Sequence, residues 1–191
     1  MSIRLLVGLG VLLCSMSAVA QNQSLDLNLN NDAVRLMYAG SLGDNGMGGL
    51  GLDAGFLRNR DKGNVSHVGI NVTGDAGMRN LPTEVAVGGN LYWVDPRGSS
   101  EDGLAVALGL RFHSIFPQYN RLGVGGHAYY APAVLSFADA DRYSEWALRV
   151  NYHIIRQAHV YVGYRRIRVK FDDGGTGTAD SGVHLGLKLN F

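Results

Sequence analysis

In several segments of this sequence every second residue is apolar, and the charged residues fall at the positions between, that is, on the opposite parity. Asp26 has this parity, and eight further residues form a candidate charge network: Arg35, Asp53, Glu84, Arg111, Glu145, Arg149, Arg165 and Lys188. Successive side chains of a β-strand point to opposite faces, so these charges would share one face of a sheet. If that face is the interior of a barrel, the charges must be paired, because an isolated buried charge is costly.

Within this network, Arg111, Arg149 and Arg165 lie on segments close to the one that carries Glu145. A guanidinium group can bind a carboxylate through two parallel hydrogen bonds. We therefore expect Glu145 to pair with one or two of these three arginines, in an interior that is filled by salt-bridged side chains.

All six histidines share the parity of the charges: His67, His113, His127, His153, His159 and His184. Three imidazoles on neighbouring strands, such as His113, His153 and His159, could bind zinc or copper. They lack the short spacing of a metal-binding motif, so we expect no metal site and no cofactor. Acyl-transfer chemistry would need a nucleophile within reach of a base. His113 and Ser114 are adjacent in sequence and would point to opposite faces, so we expect no enzyme.

Alternation with a period of two residues predicts β-strands, and it recurs ten times along the chain. The alternating segments are 25–30, 34–39, 50–57, 67–73, 84–93, 104–113, 122–130, 145–154, 160–171 and 182–191. The parity slips between Tyr164 and Ile167, which predicts a β-bulge at Arg165 and Arg166. We expect a Gly/Asp/Thr-rich loop from Asp172 to Ser181 before the last strand.

Residues 1–20 have the pattern of a cleaved signal peptide, with a positive start at Arg4, an apolar core and an Ala18-Val19-Ala20 cleavage site. The one cysteine, Cys14, lies in this segment. Residues 21–191 would then form a single barrel domain. The 17 basic and 16 acidic residues of the chain nearly balance, which argues against a nucleic-acid partner.

The final segment is the strongest strand signal. One of its faces carries Val183, Leu185, Leu187, Leu189 and Phe191, while the other carries polar or small residues. A last strand with an apolar face and a terminal aromatic residue resembles the C-terminal assembly signal of bacterial outer-membrane barrels. We predict an all-β fold, an antiparallel up-and-down transmembrane β-barrel of ten strands, or of eight if the weakly patterned first hairpin lies outside the wall.

Aromatic residues on the outward parity provide a second test of the membrane interpretation. They sort into one level with Phe56, Trp93, Tyr130, Trp146 and Phe171, and another with Phe112, Tyr152 and Phe191. Two aromatic girdles around an aliphatic band are typical of membrane barrels at the two interfaces. A soluble sandwich or lipocalin-like barrel would turn its apolar face inward and would need no girdles.

The stretch from Leu25 to Asp32 (LDLNLNND), the glycine-rich strands and the Phe-terminated last strand resemble the YfaZ family of small bacterial outer-membrane proteins. The resemblance covers residues 21–191. It implies a barrel fold and a place in the outer membrane of a Gram-negative bacterium, and it implies no substrate or activity.

The expected role is therefore that of a structural or interaction protein, a monomer with a largely side-chain-filled lumen. A narrow porin-like channel for a small solute is one alternative, and a lipid-modifying outer-membrane enzyme is another. The expected partners are outer-membrane lipids, lipopolysaccharide and, through the C-terminal strand, the barrel-assembly machinery.

Overall fold

The computed structural model describes residues 21–44, 48–76, 81–98, 102–171 and 175–191. The predicted signal peptide, residues 1–20, lies outside these ranges. The strands are β1 (Gln21–Leu29), β2 (Ala33–Asp44), β3 (Gly49–Asn59), β4 (Gly63–Asp75), β5 (Thr83–Pro96), β6 (Gly103–Ile115), β7 (Leu122–Ala131), β8 (Ser136–Ala138), β9 (Ala140–Ile155), β10 (Ala158–Phe171) and β11 (Thr176–Asn190). A 3₁₀ turn, Ala133–Leu135, precedes β8. No helix in the described ranges is long and apolar enough to cross a membrane.

Ten of these strands form a closed antiparallel barrel. Each long strand pairs with its neighbours in the chain, β7 pairs with β9, and β1 pairs with both β2 and β11. The first hairpin therefore lies in the wall, which confirms the ten-stranded prediction and excludes the eight-stranded one. The short β8 pairs with Gly103–Ala105 of β6, beyond the point at which β7 stops pairing with that strand.

Closure of the barrel depends on the last residues of the chain. Gln23 and Phe191 exchange two backbone hydrogen bonds, of 2.8 and 2.9 Å, beside the ladder that joins β1 to β11. Both termini of the described chain thus lie at one end of the barrel, which we call the terminal end. The opposite end, where the chain turns between β1 and β2, is the far end.

The outward face of the wall is apolar. Leu108 at mid-height is 60% exposed and Leu185 on β11 is 66% exposed, although both are large aliphatic residues. The outward residues of β11 form an exposed row: Val183, Leu185, Leu187, Leu189 and Phe191. The apolar residues of an alternating strand form a continuous row on the outside because the polar or small residues between these apolar ones point inward.

Outward aromatic residues occur near both ends, and Phe171 is the exception to the predicted girdles. Trp93 and Trp146 are exposed near the far end, and Tyr152 and Phe191 are exposed near the terminal end. Phe171 instead packs against the interior core. It shares its parity with Ile167 and Val169, which are buried because the interior is apolar at this height.

The predicted bulge at Arg165 and Arg166 is wrong. Both residues pair in register with β9, and the register shift in this region lies between Ile167 and Arg168, on the side of β11. The apparent slip in parity arises because inward residues change from polar to apolar along β10. The predicted loop from Asp172 to Ser181 is also too long, because β11 begins at Thr176.

Candidate functional site: a layered barrel interior

The far half of the barrel contains an apolar and aromatic core. At its centre, Tyr92 stacks on Tyr143 with ring centroids 4.2 Å apart and contacts Tyr129 edge-on at 6.2 Å. Its buried members are Ala33, Leu57, Val65, Tyr92, Val94, Ala105, Ala107, Tyr129, Ala131, Ala140, Tyr143, Ile167 and Val169. We call this set the far core. Rings and branched side chains fill the space between the strands here, as expected in a barrel of this width.

Glu145 is the buried hub of the charges that border the far core. Its Oε1 accepts a hydrogen bond from Arg35 Nη1 at 2.6 Å and lies 2.9 Å from His127 Nε2. Its Oε2 accepts from the Tyr143 hydroxyl at 2.8 Å. A carboxylate removed from water is stabilised only by such a full set of partners.

The predicted partners of Glu145 bind other carboxylates instead. The guanidinium group that binds Glu145 is that of Arg35, which reaches across the lumen from β2. Arg111 pairs with Asp53, Arg149 with Asp26 and Arg165 with Asp180. Each arginine therefore has its own carboxylate, and this pairing leaves none of the four acids in excess.

Arg165 and Asp180 form the second pair beside the far core. Arg165 donates from Nε and Nη2 to the same Asp180 oxygen at 2.8 and 2.6 Å, and from Nη1 to Asn28 Oδ1 at 2.8 Å. The other Asp180 oxygen accepts from the amides of Asn30 and Asn59, each at 3.1 Å. This network ties β10 and β11 to β1 and β3 across the interior.

Asp53 carries the third pair, nearer the middle of the barrel. Arg111 Nη2 donates to Asp53 Oδ1 at 2.5 Å, and Asn71 Nδ2 donates to the same oxygen at 3.0 Å. His67 Nε2 lies 3.3 Å from Asp53 Oδ2. The Asp53 side chain is fully buried, whereas the Arg111 side chain is 24% exposed.

Asp26 carries the fourth pair. Arg149 Nη1 donates to Asp26 Oδ2 at 3.1 Å, and the Tyr161 hydroxyl donates to Asp26 Oδ1. The Arg149 guanidinium also lies over the Tyr161 ring, 4.9 Å from its centroid, in a cation–π contact. Its side chain is 25% exposed, and that of Asp26 is 11% exposed.

Two members of the predicted network remain outside these pairs. Glu84 and Lys188 both line the cavity described below, on β5 and β11. Neither makes an ion pair within the part of the chain that the structure describes. Six of the eight predicted residues are thus brought into ion pairs, and these two are not.

The terminal half of the interior is an open cavity of about 1400 Å³. We call it the terminal cup. Its lining includes the rim residues Ser24, Thr83 and Glu84 and extends inward to Arg35 and Arg165. Residues of the far core such as Tyr92 do not line it, so the cavity ends where that core begins.

Three histidines cluster at the wall of the terminal cup. The ring of His153 lies 4.9 Å from that of His159 and 5.9 Å from that of His113, measured between centroids. His153 Nδ1 is 3.3 Å from the backbone carbonyl of Arg121. Within the described ranges, no group of three or more His, Cys, Asp or Glu side chains has an arrangement that could hold a metal ion.

Two inward glycines provide space for large rings. A Cβ atom on Gly186 would overlap the ring of Tyr161, and one on Gly109 would overlap the ring of Tyr129. Each tyrosine lies across the glycine of the neighbouring strand with which it is paired. Glycine at these positions therefore permits a close approach that any side chain would block.

A comparison with family models decides the family. The model described as YfaZ precursor matches residues 2–191. The chain belongs to this family. A search of curated proteins finds no match.

YfaZ-family membership is accompanied by distant likeness to solved barrels. A chain titled KdgM porin aligns with a TM-score of 0.45 and 7% identity, over 90% of this chain and 99% of that one. A chain titled NanC porin aligns with a TM-score of 0.43 and 8% identity, over 89% of this chain and 98% of that one. OmpT of Vibrio cholerae aligns with a TM-score of 0.39 and 12% identity, over 92% of this chain and 58% of that one.

Several residues of the YfaZ-family interior were missed from the sequence. Asp180 is the most important, because the Gly/Asp/Thr-rich composition around it suggested a loop. Its parity with His184 and Lys188 was a usable signal, since extending the alternation back along β11 reaches Asp180. No sequence signal identifies Tyr143 as a partner of Glu145 or separates it from other inward tyrosines.

Proposed function

We propose that this protein is a non-conducting outer-membrane β-barrel with a structural or interaction role. The far core carries this proposal, because a packed layer of apolar and aromatic side chains crosses the lumen. Hydrated ions would have to displace this layer, together with the Arg35–Glu145 and Arg165–Asp180 pairs, to pass. Small barrels whose lumen is filled by side chains conduct poorly for this reason.

Planar-bilayer conductance tests the proposal. The purified wild-type protein should give no unitary current, whereas the double variant Tyr92→Ala, Tyr143→Ala should conduct because two stacked rings are removed from the far core. Tyr119→Ala is the control, since Tyr119 is 64% exposed outside the strands. Steady single-channel current through the wild-type protein would refute the proposal and favour the narrow-channel alternative.

The proposed location is the outer membrane of a Gram-negative bacterium. The exposed apolar row of β11 and the two levels of outward aromatic residues support it. We further propose contact with lipopolysaccharide, supported by Arg142, Arg166 and Arg168 on the outward parity near the far end, where they would meet lipid phosphates.

Deletion of Phe191 tests the location and the proposed use of the barrel-assembly machinery. Without this residue, the backbone bonds to Gln23 are lost and the apolar row is shortened. We expect export to continue while the folded, heat-modifiable form in the outer-membrane fraction decreases. Phe137→Ala is the control, because it removes an exposed aromatic ring from β8, outside the ten strands of the wall. Normal outer-membrane levels after the deletion would contradict the proposed signal.

We propose no catalytic role. The Ser114 hydroxyl hydrogen-bonds to the Thr83 hydroxyl at 2.8 Å, while His113 faces the histidine cluster on the other side of the wall. This separation places the adjacent histidine out of reach of the Ser114 hydroxyl. Lipid A from cells that overproduce the protein should keep its mass, and a new mass species dependent on the protein would refute this.

A further inference from the structure

We propose that the terminal cup is a binding site for a small anion with carboxylate or phosphate groups, held by Arg111, Arg149 and Lys188. This inference goes beyond the proposed function, because it depends on the cup and not on whether the far core blocks conduction. All three cations line the same cavity, on β6, β9 and β11.

The first support is the distribution of exposure within the ion pairs that border the cup. The Arg111 and Arg149 side chains are 24% and 25% exposed, but the carboxylates of their partners, Asp53 and Asp26, are 0% and 11% exposed. Asp53 does not line the cup, and Asp26 lines it with a smaller exposed fraction than Arg149. The exposed part of these two ion pairs is therefore mainly cationic.

The second support is the number of unused donors. A guanidinium has five N–H donors, and each of these two arginines contacts one carboxylate oxygen. Arg149 Nε is buried without a hydrogen-bond partner among the described residues. Lys188 makes no ion pair within the same ranges. Cationic donors without partners in a cavity match the oxygens of an anion.

The third support is space. Gly125 of β7 pairs with His113 on one side and with Arg149 on the other, so no side chain separates these residues. In the row nearer the rim, His159 pairs with His153 and with Lys188. A cavity of about 1400 Å³ accommodates an organic anion of the size of a sugar phosphate or a tricarboxylate.

The surrounding charges favour an anion over a metal cation at this wall. Arg149 and Lys188 share the rows of the histidine cluster, and their charge would repel a divalent cation there. Asp26 of β1 also lines the cup, in register with Lys188, and its charge is offset by its ion pair with Arg149. Asp75 and Glu84 line the cup from β4 and β5. We therefore expect the ligand to place its acidic groups toward β6, β9 and β11 and its neutral part toward these two carboxylates.

Isothermal titration calorimetry on the full barrel folded in detergent tests the site. The probes are citrate for carboxylates, glucose 6-phosphate for a phosphate ester, and glucose as the uncharged counterpart. Binding of either anion, without binding of glucose, is the expected result. Lys188→Gln and Arg149→Gln should each weaken it roughly 10- to 100-fold, the effect of losing one charge-assisted hydrogen bond.

Lys62→Gln is the matched control, because Lys62 is exposed between β3 and β4 at the far end. It should leave the affinity unchanged. If Arg149→Gln fails to fold because Asp26 loses its partner, Lys188→Gln still decides the result. Absence of anion binding at millimolar concentrations, equal binding of glucose, an unchanged affinity in Lys188→Gln, or binding of Zn²⁺ alone would overturn the site. Conduction by the wild-type barrel would refute only the proposed function.

Discussion

The two halves of the barrel interior accommodate their inward-pointing side chains in different ways. In the far half, the Arg35 and Glu145 side chains are 5% and 0% exposed, and aromatic rings surround them. In the terminal half, Arg111 and Arg149 remain about one quarter exposed beside an open cavity. Strands with the same inward and outward parity therefore produce a packed core at one end and a polar cup at the other.

This difference shows that height along a strand matters as much as parity. On β10, the inward residues change from His159 and Tyr161 in the terminal half to Ile167 and Val169 in the far half. The charges that border the far core depend on complete pairing, because their side chains are almost fully shielded from solvent. Charges in the cup can be solvated. The same substitution should therefore have unequal effects in the two halves.

Neutralising one carboxylate in each half gives the largest contrast. Glu145→Gln should lower the free energy of unfolding by about 3–5 kcal/mol, because Arg35 loses its buried counter-charge. Glu84→Gln, at the exposed rim, should change it by less than about 0.5 kcal/mol. Urea titrations of both variants in detergent micelles provide the measurement. Equal losses would show that the far half is hydrated and that the comparison is wrong.

A charge on the outside tests whether both halves share one membrane wall. Leu108→Arg should cost about 2–4 kcal/mol in lipid, because a cation at mid-height on the outward face loses its hydration. Val134→Arg should have an effect within about 0.5 kcal/mol, since Val134 lies in the exposed turn before β8. Refolding equilibria in lipid vesicles measure both. A neutral Leu108→Arg variant would mean that this face does not meet lipid.

Two glycine substitutions test the difference between the two halves at a smaller scale. Gly109→Ala should cost about 2–3 kcal/mol, because the new Cβ would overlap the backbone carbonyl of Ala128 and the Tyr129 ring, which is held in the far core. Gly186→Ala should cost only about 1 kcal/mol, because Tyr161 borders the terminal cup and can shift into it. Gly49→Ala, whose Cβ would meet only ordinary contacts, should be neutral. Thermal unfolding of the three variants in one detergent ranks them, and the reverse order for the two inward glycines would contradict the layered interior.

Much of the wall could be predicted from the sequence, and much of the interior could not. Alternation identified the strands because parity is a local property of the chain. Contacts across the lumen are not local, so the preference of Glu145 for Arg35 depends on which strands face each other after closure. The sequence pattern predicts Phe171 on the outside, and with it Ile167 and Val169 of the same parity, on the assumption that an apolar residue faces lipid. That assumption fails wherever the interior itself is apolar.

Closure through the last residue has a consequence for the order of folding. The hydrogen bond from Arg165 to Asn28 joins positions 137 apart in the chain, and the ladder of β1 with β11 spans almost the whole described sequence. Contacts of such large sequence separation form late, because the entropy of closing the loop between them must be overcome first. One edge of the first strand therefore stays unpaired during folding until the last strand pairs with it. Throughout that interval its open edge can pair with a second molecule.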